Sequence, residues 1–148
     1  IEVIKAFKAV EHRIEKVDTI NGVVYYNDSK GTNTDASVKA IKAMSRPTLL
    51  IAGGYDKNST YDDFIDSFDG KIKELVLIGA TAKKIKACAL KHGFTNIKTA
   101  DSLEEAVSIC KSDSQEGDAV LLSPACASWD MFKSYEERGR LFKKAVRG

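Results

Sequence analysis

Continuous apolar runs alternate with amphipathic segments along most of the chain. Hydrophobic side chains dominate residues 48–53, 74–79 and 119–122. Such short, continuous runs are typical of parallel strands that are buried on both faces. The segments between them carry apolar residues at helical spacing, so the pattern predicts an α/β domain with helices on both faces of its sheet.

A hairpin is predicted ahead of the parallel strands. Asn21-Gly22 is a turn signal between residues 13–19 and 23–28, so these two segments are expected to pair antiparallel. With a short strand at residues 97–99, we expect a Rossmann-like, open and mostly parallel sheet of about six strands, one of them antiparallel. Helices are expected at about residues 34–44, 61–68, 82–92, 103–111 and 131–146.

One domain accounts for nearly the whole chain. No internal repeat, linker or low-complexity segment interrupts the pattern, so residues 10–148 are expected to form a single domain. Residues 1–9 have no clear place in it, and we interpret them as a tail leading in from a preceding domain.

Composition narrows the function classes. The net charge is +2, and the lysines interleave with acidic residues, which argues against a nucleic-acid surface. No apolar run approaches the roughly 20 residues of a membrane span, and no signal peptide opens the chain. The three cysteines form no CxxC pair and the two histidines are far apart. We therefore expect a cytoplasmic, reduced domain without a metal site.

Three loops expected at the carboxyl ends of strands are rich in polar residues and glycine. They span residues 28–33, 53–57 and 123–130. Ligands of open α/β sheets bind at this edge, and loops that open helices present free N–H groups to anions. All three loops are expected to open helices, with Asn33 and Ser128 as candidate N-caps. The sequence therefore predicts one shared anion-binding site.

Several candidate residues also have a plain structural interpretation. Lys57 follows two glycines and could bind phosphate or carboxylate, or it could be a solvated surface lysine. Asp28 could accept a hydrogen bond from a ribose or a metal-bound water, or it could only form a turn. Cys126 has no histidine in its motif, which favours burial over catalysis. Trp129 and Phe132 are expected to seat their loop on the core.

The last helix is expected to present a solvated charged face. Its acidic and basic residues stand at spacings that allow ion pairs one turn apart. These residues are Glu136, Glu137, Arg138, Arg140, Lys143 and Lys144.

Three segments resemble the C-terminal domain of the Mur ligase family. They read YNDSKGTN at residues 26–33, AGGYDK at 52–57 and LLSPACASWDMFKSYEERG at 121–139. The resemblance covers the chain from about Phe7 onward. Family members that add other amino acids carry a histidine-containing sequence where this chain has YNDS, which favours the branch that adds D-glutamate.

The resemblance implies a reaction in peptidoglycan precursor synthesis. ATP with Mg²⁺ phosphorylates the carboxylate of UDP-N-acetylmuramoyl-L-alanine, and the amine of D-glutamate attacks the acyl phosphate. Such enzymes have three domains, so about 300 further residues are expected upstream, where most of the ATP and Mg²⁺ contacts would lie. The fragment alone is expected to be a monomer without ligase or ATPase activity, and to bind neither nucleic acid nor membrane.

The resemblance also implies a D-glutamate clamp built from two sides. Thr32 and Lys57 are similar to the groups that hold a carboxylate of D-glutamate. Ser128 and the backbone near Tyr135 are similar to those at the other end of the clamp.

A nucleotide-contacting group is implied as well. Arg13 and Asp28 are similar to the residues that reach the ribose and phosphates when the domains close. The remaining members of the motif, Ser29, Lys30 and Asn33, have no assigned role.

Two alternatives remain open from the sequence. The chain could be a free-standing Rossmann-like module that binds an anion or a nucleotide without making a bond. It could also be a folate-type glutamate ligase domain, which shares the architecture but is not expected to carry the SPACAS run. A GTNGKT-like phosphate loop upstream would decide for the ligase.

Overall fold

The computed structural model describes residues 11–148, and the expected tail at residues 1–9 lies outside that range. The strands are β1 (Glu15–Ile20), β2 (Val23–Asn27), β3 (Thr48–Ala52), β4 (Ile72–Leu77), β5 (Ile97–Thr99) and β6 (Ala119–Leu122). The helices are α1 (Thr34–Ala43), α2 (Asp62–Asp66), α3 (Ala82–Lys91), α4 (Leu103–Asp113) and α5 (Tyr135–Arg147).

The six strands form one sheet in the order β1-β2-β6-β3-β4-β5. Only β1 and β2 pair antiparallel, and all other neighbours are parallel. Asn21 and Gly22 both have positive φ, 54° and 77°, which the tight turn between twisted strands requires. The predicted α/β fold with one antiparallel strand is confirmed.

The central strands bury side chains on both faces of the sheet. Leu50 packs in a cluster with residues of α1, α2 and α3, whereas Leu49 and Ile51 pack in a second cluster with residues of α4 and α5. Successive strand residues point to opposite faces, so a strand covered on both sides must be apolar throughout. This explains the continuous apolar runs of the sequence.

The helix starts differ from expectation at two of the three polar loops. At the first loop, the Asn33 Oδ1 accepts from the Ala36 amide at 2.9 Å, which confirms the predicted N-cap of α1. At the second, α2 begins only at Asp62, so that loop does not open a helix directly.

The predicted start of the last helix is wrong. The helix α5 begins at Tyr135, and its cap is Ser134, whose Oγ accepts from the Glu137 amide at 3.1 Å. Ser134 and Glu137 have the spacing of a capping box, which outweighs the weaker signal of Ser128. No helix among the described residues is long and apolar enough to cross a membrane.

Candidate functional site

The loops after β2, β3 and β6 meet at the carboxyl edge of the sheet and enclose one cavity, and a second cavity lies between the loop after β2, the start of α1 and the segment before β1. The first, which we call the clamp pocket, has a volume of about 250 Å³. Its lining residues are Thr32, Lys57, Ala127, Ser128, Trp129, Lys133, Ser134 and Tyr135. The four residues predicted to hold D-glutamate are thus brought together in one pocket.

The second cavity, which we call the Arg13 pocket, has a volume of about 400 Å³. Its lining residues are Arg13, Ile14, Asp28, Lys30, Gly31, Asn33, Asp35, Ala36 and Lys39. It contains both residues predicted to contact the nucleotide, together with two of the three motif residues without an assigned role. The third, Ser29, is fully buried beside the two pockets.

The clamp pocket combines exposed cations with a buried hydroxyl. Lys57 and Lys133 are exposed, whereas Ser128 is only 2% exposed. Ammonium groups and hydroxyls both donate hydrogen bonds, so the pocket is equipped to bind a small carboxylate. Ser128 does not cap a helix; its carbonyl accepts from the amides of Met131 and Phe132, which fold a turn under the pocket.

Close backbone contact holds the second loop against the third. The Gly53 amide donates to the Pro124 carbonyl and the Tyr55 amide to the Ala127 carbonyl, both at 2.9 Å. A Cβ on Gly54 would lie 2.6 Å from the Ala127 carbonyl oxygen, so only glycine permits this approach. The two glycines before Lys57 therefore bring its loop to the pocket.

A strained alanine links the third loop to the first. Ala125 has a φ of 62°, in the left-handed region that residues with a Cβ rarely occupy. Its amide donates to the Gly31 carbonyl at 2.9 Å. Such strain persists only where surrounding contacts fix it, and it is frequent at functional sites.

Arg138 is the functional-site residue that the sequence interpretation missed. It was expected on a solvated helix face but is fully buried. Its Nε and Nη2 donate to the Oγ and the carbonyl of Ser29 at 2.9 and 2.7 Å, and its Nη1 donates to the Cys126 carbonyl at 3.0 Å. The Ser29 Oγ in turn donates to the Tyr135 carbonyl at 2.6 Å. One guanidinium thus joins the first loop, the third loop and the start of α5.

The charge of Arg138 is kept despite its burial. Burial lowers the pKa of Arg138 to about 10, while the neighbouring Asp130 and Asp28 carboxylates act in the opposite direction. The guanidinium therefore stays protonated at neutral pH. A signal in the sequence was available, because Gly139 follows directly, and a Cβ there would lie 2.1 Å from the His12 Nδ1. A glycine inside a helix indicates close packing of that face.

Asp28 is a buried acceptor at the boundary of the Arg13 pocket. It is 3% exposed and accepts from the Ser123 Oγ at 2.6 Å and from the Ile14 amide at 3.1 Å. Burial raises the pKa of Asp28, and the hydrogen bond from Ser123 opposes that rise. Each carboxylate oxygen carries two lone pairs and accepts one of these bonds, so each can accept another.

The expectation for Trp129 is wrong, whereas the expectation for Cys126 agrees with the structure. Trp129 is 65% exposed and packs against Tyr55 with 5.3 Å between ring centroids, so the prediction that it seats the loop on the core is wrong. Phe132 is partly buried against the cluster of α4 and α5. Cys126 is 1% exposed within reach of the Tyr61 and Thr81 hydroxyls, and burial raises the pKa of its thiol, in agreement with a packing role.

The other charges of α5 follow the expectation only in part. Arg140 and Lys144 are exposed. Lys143 is 13% exposed and reaches the Glu11 and Glu15 carboxylates at 2.8 and 3.2 Å. This helix face therefore packs on the start of β1 and the segment before it. The amphipathic pattern alone does not reveal which charges find partners.

A larger cavity lies elsewhere. It has a volume of about 590 Å³ between α4 and α5, and its charged lining residues, Glu104, Lys111 and Lys144, are exposed. The candidate site residues instead line the two smaller pockets at the carboxyl edge of the sheet, which is the usual ligand position in open α/β folds. The fold and the pockets define an α/β domain with two small, lysine- or arginine-lined pockets at its strand ends.

Comparison with known proteins identifies the family. A family model described as "Mur ligase, glutamate ligase domain" matches residues 12–126. The chain is 62% identical over 145 residues to the UDP-N-acetylmuramoylalanine–D-glutamate ligase of Thermoanaerobacter sp. (strain X514), covering 97% of the chain and 32% of that protein. The chain belongs to the Mur ligase family and corresponds to its C-terminal domain, as the sequence resemblance predicted.

Solved structures of distant relatives show the same fold. The UDP-N-acetylmuramate-alanine ligase of Thermotoga maritima superposes with a TM-score of 0.65 at 14% identity, covering 99% of this chain and 32% of that one. A folylpolyglutamate synthase of Mycobacterium tuberculosis complexed with ADP gives a TM-score of 0.68 at 11% identity, covering 93% and 33%. The 62% identity to a D-glutamate ligase favours neither the folate-type nor the free-standing alternative.

Proposed function

We propose that the chain is the D-glutamate-binding domain of an ATP-dependent ligase that adds D-glutamate to UDP-N-acetylmuramoyl-L-alanine. The chain spans about a third of its relatives, 32% of the Thermoanaerobacter protein, so the bond is made in a larger enzyme. The observation that carries the proposal is the clamp pocket, where residues of three separate loops surround one small cavity.

The clamp pocket suits an amino acid with two carboxylates. Its volume of about 250 Å³ lies below the roughly 300–1,000 Å³ typical of sites for drug-sized ligands. We assign one carboxylate of D-glutamate to Thr32 and Lys57, and the other to Ser128 and the backbone at Tyr135. Holding the amine near the acyl phosphate would accelerate the reaction mainly by positioning.

The Arg13 pocket suits a phosphate-bearing ligand. Arg13, Lys30 and Lys39 line it with positive charge, and the spare lone pairs of Asp28 could accept from a ribose hydroxyl. Its carboxylates do not fit a magnesium ion: Asp28 is buried and hydrogen-bonded, and Asp35 is accompanied by three cations. We therefore assign Mg²⁺, and most of the ATP contacts, to the rest of the ligase.

The remaining assignments follow from the same proposal. The ligase would act in the cytoplasm as a monomer, with D-glutamate, ATP and UDP-N-acetylmuramoyl-L-alanine as its partners. The isolated domain would have no ligase activity, because the groups that activate the acceptor carboxylate lie outside it. Amide formation by residues 1–148 alone would contradict this.

Substitutions in the complete ligase test the clamp. We expect Lys57→Ala to raise the KM for D-glutamate about ten- to a hundredfold, because hydrogen bonds to charged groups contribute about 1.5–3 kcal/mol. Ser128→Ala should raise it up to about tenfold, as expected for a weaker donor. The KM for ATP should change little in either variant.

Matched controls come from exposed residues remote from the pocket. Lys86→Ala removes a lysine from α3, and Ser108→Ala removes a serine from α4; both positions are exposed. Neither should alter the KM for D-glutamate. If Lys57→Ala and Ser128→Ala behave like these controls, the clamp assignment is wrong.

A further inference from the structure

Four side chains with metal-binding chemistry face one another between α2 and α3. Asp62 and Asp66 stand one turn apart on α2. Cys88 lies on α3, and His92 stands one turn later as its C-cap. Residues four apart lie on the same face of a helix, so each helix presents a pair toward the other.

The contacts converge on Asp62 and His92. The Nε2 of His92 lies 2.7 Å from the Asp62 Oδ1, and the Nδ1 of His92 lies 3.0 Å from the Asp66 Oδ1. The Cys88 thiol donates to the same Asp62 oxygen at 3.7 Å. One oxygen, one sulfur and one nitrogen donor therefore lie within 4.8 Å of one another.

We propose that Asp62, Cys88 and His92 bind a divalent transition-metal ion of the zinc type, with Asp66 orienting the histidine. A thiolate, an imidazole and a carboxylate are the ligands that Zn²⁺ takes in proteins, and three of them leave a fourth position for water. Metal-bound histidines usually donate their other ring N–H to a carboxylate, and Asp66 already stands at that nitrogen.

The spacing of the donors fits such an ion. Tetrahedral zinc with its usual bond lengths places oxygen, nitrogen and sulfur ligands about 3.3–3.6 Å apart. The two separations from the Asp62 oxygen, 2.7 Å and 3.7 Å, lie on either side of this range, and all three donor atoms lie within 4.8 Å of one another. Binding an ion therefore requires side-chain adjustment, and the Asp62 side chain, which is 53% exposed, has room to move.

Metal binding at this cluster must release a proton, because zinc binds cysteine as the thiolate. The Cys88 thiol proton would pass to solvent, and the His92 Nε2 would bind the ion in its unprotonated form. The proton on Nδ1 would stay on that nitrogen, hydrogen-bonded to Asp66. Affinity should therefore fall as the pH is lowered.

The ion would stabilise the short helix α2. The helix α2 has only five residues and follows the loop that carries Lys57. A metal bridge to α3 would hold that helix in place. The sequence expectation of no metal site considered only histidine and cysteine spacing, whereas one of the three proposed ligands, Asp62, lies 26 and 30 residues upstream of the other two.

Cobalt spectroscopy on the complete ligase tests the site. The metal-depleted, reduced protein is titrated with Co²⁺, then with Zn²⁺ in competition. We expect one ion that gives a thiolate-to-cobalt charge-transfer band, and loss of that band in Cys88→Ser. Absence of the band in the unaltered protein, or its survival in Cys88→Ser, overturns the proposal.

Affinity measurements separate ligands from neighbours. Asp62→Asn and His92→Gln should weaken Zn²⁺ binding at least about tenfold, and Asp66→Asn about 10- to 100-fold through the orientation of His92. Asp63→Asn, an exposed acid on the same helix, should leave the affinity unchanged. Equal effects of Asp62→Asn and Asp63→Asn would contradict the site.

X-ray absorption keeps the test independent of variant folding. The zinc-loaded, unaltered protein should show one sulfur ligand and nitrogen or oxygen ligands for the rest. A zinc environment without sulfur would overturn the proposal even if a variant proved unstable.

Discussion

The interior and the rim of the carboxyl edge use polar residues in opposite ways. Arg138 and Ser29 in the interior are fully buried and form hydrogen bonds with backbone groups and with each other. Lys57 and Trp129 at the rim are exposed. The buried groups fix the loops, and the exposed groups remain free to meet a ligand. Preorganisation and recognition are thus divided between different residues.

Removing the buried guanidinium of Arg138 should have the largest effect on stability and tests the role of the interior residues most strongly. Arg138→Met leaves two carbonyls and a serine hydroxyl without their partner, so we expect a loss of about 3–5 kcal/mol in the free energy of unfolding. Arg140→Met, two residues along and exposed, should cost less than about 0.5 kcal/mol. Urea denaturation measures both, and equal losses would refute the interior role of Arg138.

Overpacking beside the same network should have the next largest effect. A Cβ on Gly139 would lie 2.1 Å from the buried His12 ring, so Gly139→Ala should cost about 1–3 kcal/mol although alanine favours helices. Combining it with His12→Ala should recover part of the loss, since the clash is removed. Additive effects in this double-mutant cycle would show that the two residues do not press on each other.

The rim should separate stability from binding. Lys57→Ala should change the free energy of unfolding by no more than about 0.5 kcal/mol, because the side chain is exposed. Its effect on the KM for D-glutamate should nevertheless be large. A stability loss comparable to that of Arg138→Met would place Lys57 in the framework instead.

The smallest effect is expected at the exposed ion pairs of His92, measured with a chelator present. The pKa of His92 is raised by its hydrogen bond to Asp62. Its contribution to stability is therefore fully present below the unfolded pKa of about 6.5 and is lost as the pH rises through the higher folded value. The stability difference between the unaltered protein and His92→Gln should shrink between pH 5.5 and pH 9. A difference that grows with pH would reverse this assignment.

The sequence predicted what depends on periodicity and local turns. Burial on both sheet faces leaves a continuous apolar run, and Asn21-Gly22 marks a tight turn, so the sheet and its hairpin could be predicted. The carboxyl-edge rule then placed Thr32, Lys57 and Ser128 near one another without knowledge of their distances. Their roles as D-glutamate ligands remain predictions.

What failed depends on contacts between distant residues. The partners of Arg138 lie 109 and 12 residues away, at Ser29 and Cys126, and no local pattern reveals them. Trp129 was expected inside because large aromatic side chains are usually buried. Ser134 could have been recognised as the helix cap from its spacing to Glu137, but the last helix was expected to begin near residue 131, which made Ser128 the candidate cap.

Consecutive residues of the first loop line different pockets. Gly31 lines the Arg13 pocket, and the next residue, Thr32, lines the clamp pocket. A ligand that shifts this peptide from one side alters the binding surface on the other. By thermodynamic linkage, the factor by which the first ligand changes the affinity for the second equals the factor in the reverse direction. The loop backbone between Gly31 and Thr32 would then couple the two ligands equally in both directions.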